Sequence, residues 1–187
     1  MRLTHLALTN FRNFSRLDLD VSSGVLLLVG DNAQGKTSLL EAIYYLATLT
    51  SFHASTDRQL INFLLPPAPA PFARIVADFL RGGRNHRLEI RLIQENGEGN
   101  GGTRLRKEIL LDGVQIKSAQ AVGQFNAVLF LPQMMNMVDG SPEERRRYLN
   151  LALAQVVPGY SAALTEFNRA LTQRNALLKQ LSERGGD

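Results

Sequence analysis

The sequence predicts an α/β fold: a mixed sheet, an antiparallel β-subdomain and a helical end. Three observations carry that prediction. The apolar run "VLLLV" at 25–29 leads straight into "GDNAQGKTS", and Leu39, Leu40, Ile43 and Leu46 then recur at helical spacing. Several segments alternate apolar and polar residues with period two and are separated by glycine-rich turns. From Ser141 onward the pattern is helical almost to the end.

In chain order, Leu3 to Leu8 alternates, and "NFRNFSRLDLDV" alternates again with Leu17, Leu19 and Val21 on one face. Both read as strands of a half-exposed sheet. Val25 to Val29 is apolar throughout, as expected of a strand buried on both faces. A helix follows the glycine loop, and "LLPPAPAPF" reads as a surface connection. "ARIVADFL", "HRLEIRLI" and "LRKEILLDG" predict three antiparallel strands, with "RGGRN" and "QENGEGNGGT" as their turns. "AVLFL" reads as one more strand, ending at Pro132. In "GSPEERRRYL", Ser141 suits an N-cap, Pro142 the first helical position and Glu144 a capping box. That helix should run to about Val157, where Pro158 and Gly159 break it. A second amphipathic helix is expected from Tyr160 to Leu181.

Composition narrows the function. With 187 residues, 44% of them hydrophobic, the chain can bury a real core. It has no cysteine, and its three histidines show no metal-ligand spacing. No apolar run reaches the ~20 residues of a membrane span, and no signal-peptide core opens the chain, so the expected location is cytoplasmic with no membrane partner. The net charge is +4, and arginine outnumbers lysine 17 to 4. This suits a polyanionic partner, and equally an ordinary basic protein.

"GDNAQGKT" satisfies G-x-x-x-x-G-K-[ST] in full. Gly30 and Gly35 permit backbone conformations that a side chain would block. The loop of Gly30, Asp31, Asn32, Ala33, Gln34 and Gly35 can then turn its N–H groups to phosphate at the positive end of a helix. Lys36 would reach the β- and γ-phosphates, the Thr37 hydroxyl would hold Mg²⁺, and Ser38 would be a further phosphate contact. A loop of this kind does not by itself separate a kinase, a GTPase, a motor and an ABC-type ATPase.

Its neighbours do more. "LTNFRNF", "GDNAQGKTSLLEAI", "SFHASTDRQLI" and "VLFLPQ…VDGSPEERRRYLN" keep one order along nearly the whole chain. Together they resemble the RecF family of bacterial recombination mediators, relatives of the SMC and ABC-type ATPases. The resemblance implies an ABC/SMC-type head lobe over residues 1–140, with an antiparallel β-subdomain at about 73–116. Residues 141–187 would begin a helical second lobe and stop inside it. Arg12 and Asn13 would lie beside the nucleotide. Gln133 would fall at the Q-loop, with Thr37 and Gln133 as the Mg²⁺ contacts. Four positions depart from the family's usual residues: Ala33 stands for Gly, His53 for Arg, Gln133 for an acid and Asn150 for Asp.

The same resemblance implies ATP and Mg²⁺ as cofactors, DNA (single-strand gaps and duplex junctions) as ligand, and RecR and RecO as partners. It also implies an ATP-dependent homodimer of the intact protein and a role in RecA loading, DNA repair, replication and the SOS response. Intact members resemble weak DNA-dependent ATPases. No apolar strand ending in paired acids follows Thr37 in this chain, and no Ser-Gly-Gly signature is present. Candidate DNA contacts are Arg81, Arg84, Arg87, Arg104, Arg106 and Lys107, on strands and turns; as solvated hairpin residues they need no function. Arg145, Arg146 and Arg147 read as a helix face beside Glu143 and Glu144. The alternatives are a P-loop small-molecule kinase, with "PEERRR" as its lid, and a non-catalytic ATP-binding DNA module.

Overall fold

The computed structural model describes residues 1–22, 24–64, 70–96, 103–135 and 140–184. Six strands form one sheet: β1 (Arg2–Phe11), β2 (Phe14–Asp20), β3 (Phe72–Arg81), β4 (Arg84–Asn96), β5 (Thr103–Leu111) and β6 (Val114–Gln115), in the order β2-β1-β3-β4-β5-β6. Among the described residues four α-helices accompany it: α1 (Lys36–Thr48), the single turn α2 (Ser118–Ala121), α3 (Pro142–Val156) and α4 (Tyr160–Arg184). The helix boundaries at Ser141 and Pro158 agree with the sequence reading. Ser141 accepts from the Glu144 N–H, and the Glu144 side chain returns to the Ser141 N–H.

Alternation decides the sheet's two faces. Leu6 and Leu8, Ile75, Ala77 and Phe79, Leu88, Ile90 and Leu92, and Ile109 all fall on the face that α1 covers, and all are fully or almost fully buried. α1 contributes Leu39, Ala42, Tyr45 and Leu46 to this core. The expected stripe is thus rotated: Leu40 is exposed, and Tyr45 takes its place.

The α/β class stands, but the sheet differs in kind from the expected one. Every pairing between the named strands is antiparallel, including those of the expected antiparallel stretch, and β3 to β6 continue the sheet of β1 and β2. The run read as a buried strand, 25–29, and the run read as one more strand, 127–131, form no ladder. Val25 is 85% exposed and Val128 is 94% exposed. An all-apolar strand presupposes neighbours on both sides and layers on both faces, and sequence periodicity does not supply them. The turn "QENGEGNGGT" and the connection "LLPPAPAPF" fall largely outside the described residues.

Candidate nucleotide-binding site

α1 begins at Lys36, so the glycine loop ends on a helix N-terminus, as the motif requires. Gly35 is the N-cap, with φ of 99°. A Cβ there would sit 2.6 Å from the Phe14 ring and 2.8 Å from the Asn13 amide. Only glycine lets the loop lie this close under the β1–β2 turn. Ala33 also takes a left-handed backbone, φ 65°, where the resembled family usually has glycine.

A cavity of about 450 Å³ opens above this helix end, within the range of small-ligand sites. Asn32, Ala33, Gly35, Lys36, Thr37 and Ser38 form one side of it. Arg12 and Asn13, from the β1–β2 turn, form the other. The structure therefore joins two motifs that lie some twenty residues apart in sequence. Asn13 donates to the Ala33 carbonyl at 3.4 Å, which ties the turn to the loop. Lys36 folds back, and its Nζ donates to the carbonyls of Gly30 and Asp31 at 2.7 and 2.5 Å. Those two residues and Gln34 shape the loop without lining the cavity.

Sequence reasoning missed Glu41 and Phe63 as cavity residues; His53, which stands where the resembled family usually has Arg, also lines it. Glu41 had a visible signal, a lone carboxylate inside the apolar helix run "LLEAIYYLA". Phe63 had none; a bridge from Ile61 to Phe11 carries its segment to the turn. Gln133 lies on the 3₁₀ turn Pro132–Met135, and its side chain is outside the described residues.

Four of the six candidate DNA residues are engaged within the fold. Arg87 pairs with Asp78, Arg106 with Glu95 and Glu108, and Lys107 with Asp57. Arg81 donates to the carbonyls of Gly123 and Gln124. Arg84 and Arg104 are exposed and have no ion pair among the described residues.

Strand face, glycine loop and helix N-terminus define a P-loop nucleotide-binding protein. Comparison with known proteins agrees: a family model described as AAA ATPase domain matches residues 1–102, and the chain belongs to that family. At finer grain it is similar to the DNA replication and repair protein RecF. It is 41% identical to RecF of Roseiflexus castenholzii over 98% of this chain and 48% of that protein. It is 38% identical to RecF of Lacticaseibacillus casei over 97% of this chain and 45% of that one. A solved structure of the recombination mediator protein RecF-ATP in the RecFOR pathway matches with a TM-score of 0.77 at 30% identity, covering 97% of this chain and 46% of that one. The chain thus spans about half the length of the curated relatives it matches. Among the described residues, no helix is long and apolar enough to cross a membrane.

Proposed function

We propose that this chain forms the ATP-binding part of a RecF-type DNA replication and repair protein. The observation that carries the reading is the single cavity shared by Lys36, Thr37 and Ser38 at the start of α1 and by Arg12 and Asn13 of the β1–β2 turn. Lys36 exchanges its two loop carbonyls for the terminal phosphates, a charge-assisted contact. The loop N–H groups and the helix end hold the phosphate chain, and Arg12 and Asn13 close it from the opposite wall. Thr37, a cavity-lining hydroxyl, suits Mg²⁺, which takes few protein ligands and completes its shell from phosphate and water. The Q-loop role implied for Gln133 belongs to the same proposal. When bound, the metal neutralises charge on the phosphate oxygens.

The intact protein, in this reading, works in the cytoplasm. It dimerises on ATP, binds gapped DNA and acts with RecR and RecO in loading RecA. The similarity over 97% of the chain to a solved structure of RecF-ATP in the RecFOR pathway supports both the nucleotide and the pathway. DNA contact is assigned first to Arg84 and Arg104, which are exposed and make no ion pair among the described residues.

The test is Lys36→Ala. Losing a charge-assisted hydrogen bond costs about 1.5–3 kcal/mol, roughly ten- to hundredfold in affinity. Calorimetry with ATP and Mg²⁺ should show that loss, with an unchanged circular dichroism spectrum. Equal affinity in variant and parent would remove the P-loop assignment.

A further inference from the structure

We propose that Glu41 is the positioning residue of this site: its buried carboxylate holds Arg12 in place to receive the nucleotide's phosphates. The inference rests on the ATP-binding reading above and goes beyond it by assigning the residue that sets Arg12.

Glu41 lies on α1, one turn after Thr37, and both line the cavity. It is only 1% exposed, among the apolar core residues of its helix. A carboxylate in such a place is costly unless it is paired, and a buried ion pair rarely improves on a well-packed apolar residue. Stability alone therefore gives no reason for an acid here.

The geometry gives one. Arg12 Nε and Nη2 donate to Oε2 and Oε1 of Glu41, each at 2.7 Å, in a bidentate fork. Arg12 Nη1 donates to the Gln59 carbonyl at 3.0 Å. A guanidinium has five N–H groups, so one on each terminal nitrogen has no partner among the described residues. The fork fixes the plane of the group, and with it the direction of both remaining donors. Arg12 itself sits at φ 54° in the β1–β2 turn, with its N–H bonded to the Leu60 carbonyl, so its backbone is held as well.

The carboxylate also organises the neighbouring wall. The Ser51 hydroxyl donates to Oε1 of Glu41, and its oxygen accepts the N–H groups of His53 and Ala54. One buried acid thus ties together the turn that bears Arg12, the helix that bears Lys36 and Thr37, and the loop that bears His53. A glutamine there would set an amide donor against a guanidinium donor and break the fork.

The experiment is a double-variant cycle on the full 187-residue chain, reading ATP-Mg²⁺ affinity by calorimetry. Arg12→Ala and Glu41→Gln should each weaken ATP by about tenfold, the scale of one charge-assisted contact. Arg12→Ala with Glu41→Gln together should be no weaker than Arg12→Ala alone, because Glu41 acts through Arg12. Glu89→Gln is the control. It breaks another bidentate pair, to Arg74, on the opposite face of the sheet. It should lower the melting temperature and leave ATP affinity at the parent's value. If Glu41→Gln does not fold, Glu41→Asp takes its place; it keeps the charge and withdraws the fork by one methylene, and ATP should weaken likewise. A folded Glu41 variant with the parent's affinity, or losses that simply add, overturns this inference and leaves the P-loop reading standing. A parent chain that binds no ATP overturns that reading, and this inference with it.

Discussion

At Gly35 the motif and the fold make the same demand. The glycine is needed for its left-handed φ of 99° and for the 2.6 Å that a Cβ would leave to Phe14. A side-chain-bearing residue in left-handed backbone costs roughly 1–2 kcal/mol before any clash. Gly35→Ala should therefore lower the melting temperature and also weaken ATP, because the turn bearing Arg12 and Asn13 must lift off the loop. Thermal melts and calorimetry check both effects, and an unchanged ATP affinity would show that turn and loop act separately. Ala33 already bears such strain at φ 65° and still leaves the loop formed, so one departure from glycine is tolerated at this exposed position. Most of the loop residues named from the motif line the cavity, and Arg12, named from the family resemblance, lines it from the opposite side. The sequence reading passed over Glu41 because a carboxylate between Leu40 and Ala42 reads as solvated until its burial is known.

At the scale of elements, the sheet's outer face is an ion-pair ladder. Arg74 and Arg91 share Glu89, Arg91 reaches Glu108, Glu108 meets Arg106, and Arg106 meets Glu95. Farther along, Arg87 holds Asp78, and His5 lies between Asp18 and Asp78. The Arg74 hydrogen bond, with Arg91 adding to it, holds the Glu89 carboxyl below its ordinary 4.5. The Arg87 hydrogen bond holds Asp78 below its ordinary 3.8. A carboxyl depressed in the folded state contributes stability that is fully present above its unfolded value and is lost as pH falls through the folded one. Urea midpoints should thus hold steady from pH 7 to 5 and fall below about pH 4.5. Glu89→Gln should cost about 1–3 kcal/mol at pH 7, and its curve should approach the parent's near pH 3. A parent whose stability rises on acidification would contradict the ladder's role.

For the whole molecule, the same ladder reshapes the view of DNA binding. Four strand arginines, Arg74, Arg87, Arg91 and Arg106, are matched by acids and so offer less free charge to a polyanion. Arg84 and Arg104 are the candidate cations whose side chains are exposed and make neither an ion pair nor a hydrogen bond among the described residues. Each neutralised phosphate on duplex DNA adds about 0.9 to the log–log salt slope. Replacing both by Ala should lower the slope by roughly 2. Arg87→Ala should leave it unchanged, since that charge stays on Asp78. Titrations of labelled gapped DNA at several salt concentrations decide the matter. An equal effect of Arg87→Ala would place the DNA on the ladder instead.

The sequence alone determined whatever depends on neighbours along the chain. Ser141, Pro142 and Glu144 start a helix by bonding within four residues, Gly82 and Gly83 turn one strand into the next, and Gly30 to Ser38 form a phosphate loop by their spacing. The tertiary structure decided what depends on partners brought from afar. It joined β3–β6 to β1 and β2, left Val25–Val29 without a ladder, offset the strand arginines with acids, and buried Glu41 against Arg12. The physical reason is range. Turns, caps and helical periodicity are satisfied by backbone groups a few residues apart, whereas strand pairing and charge pairing are settled between residues that only the folded chain brings together.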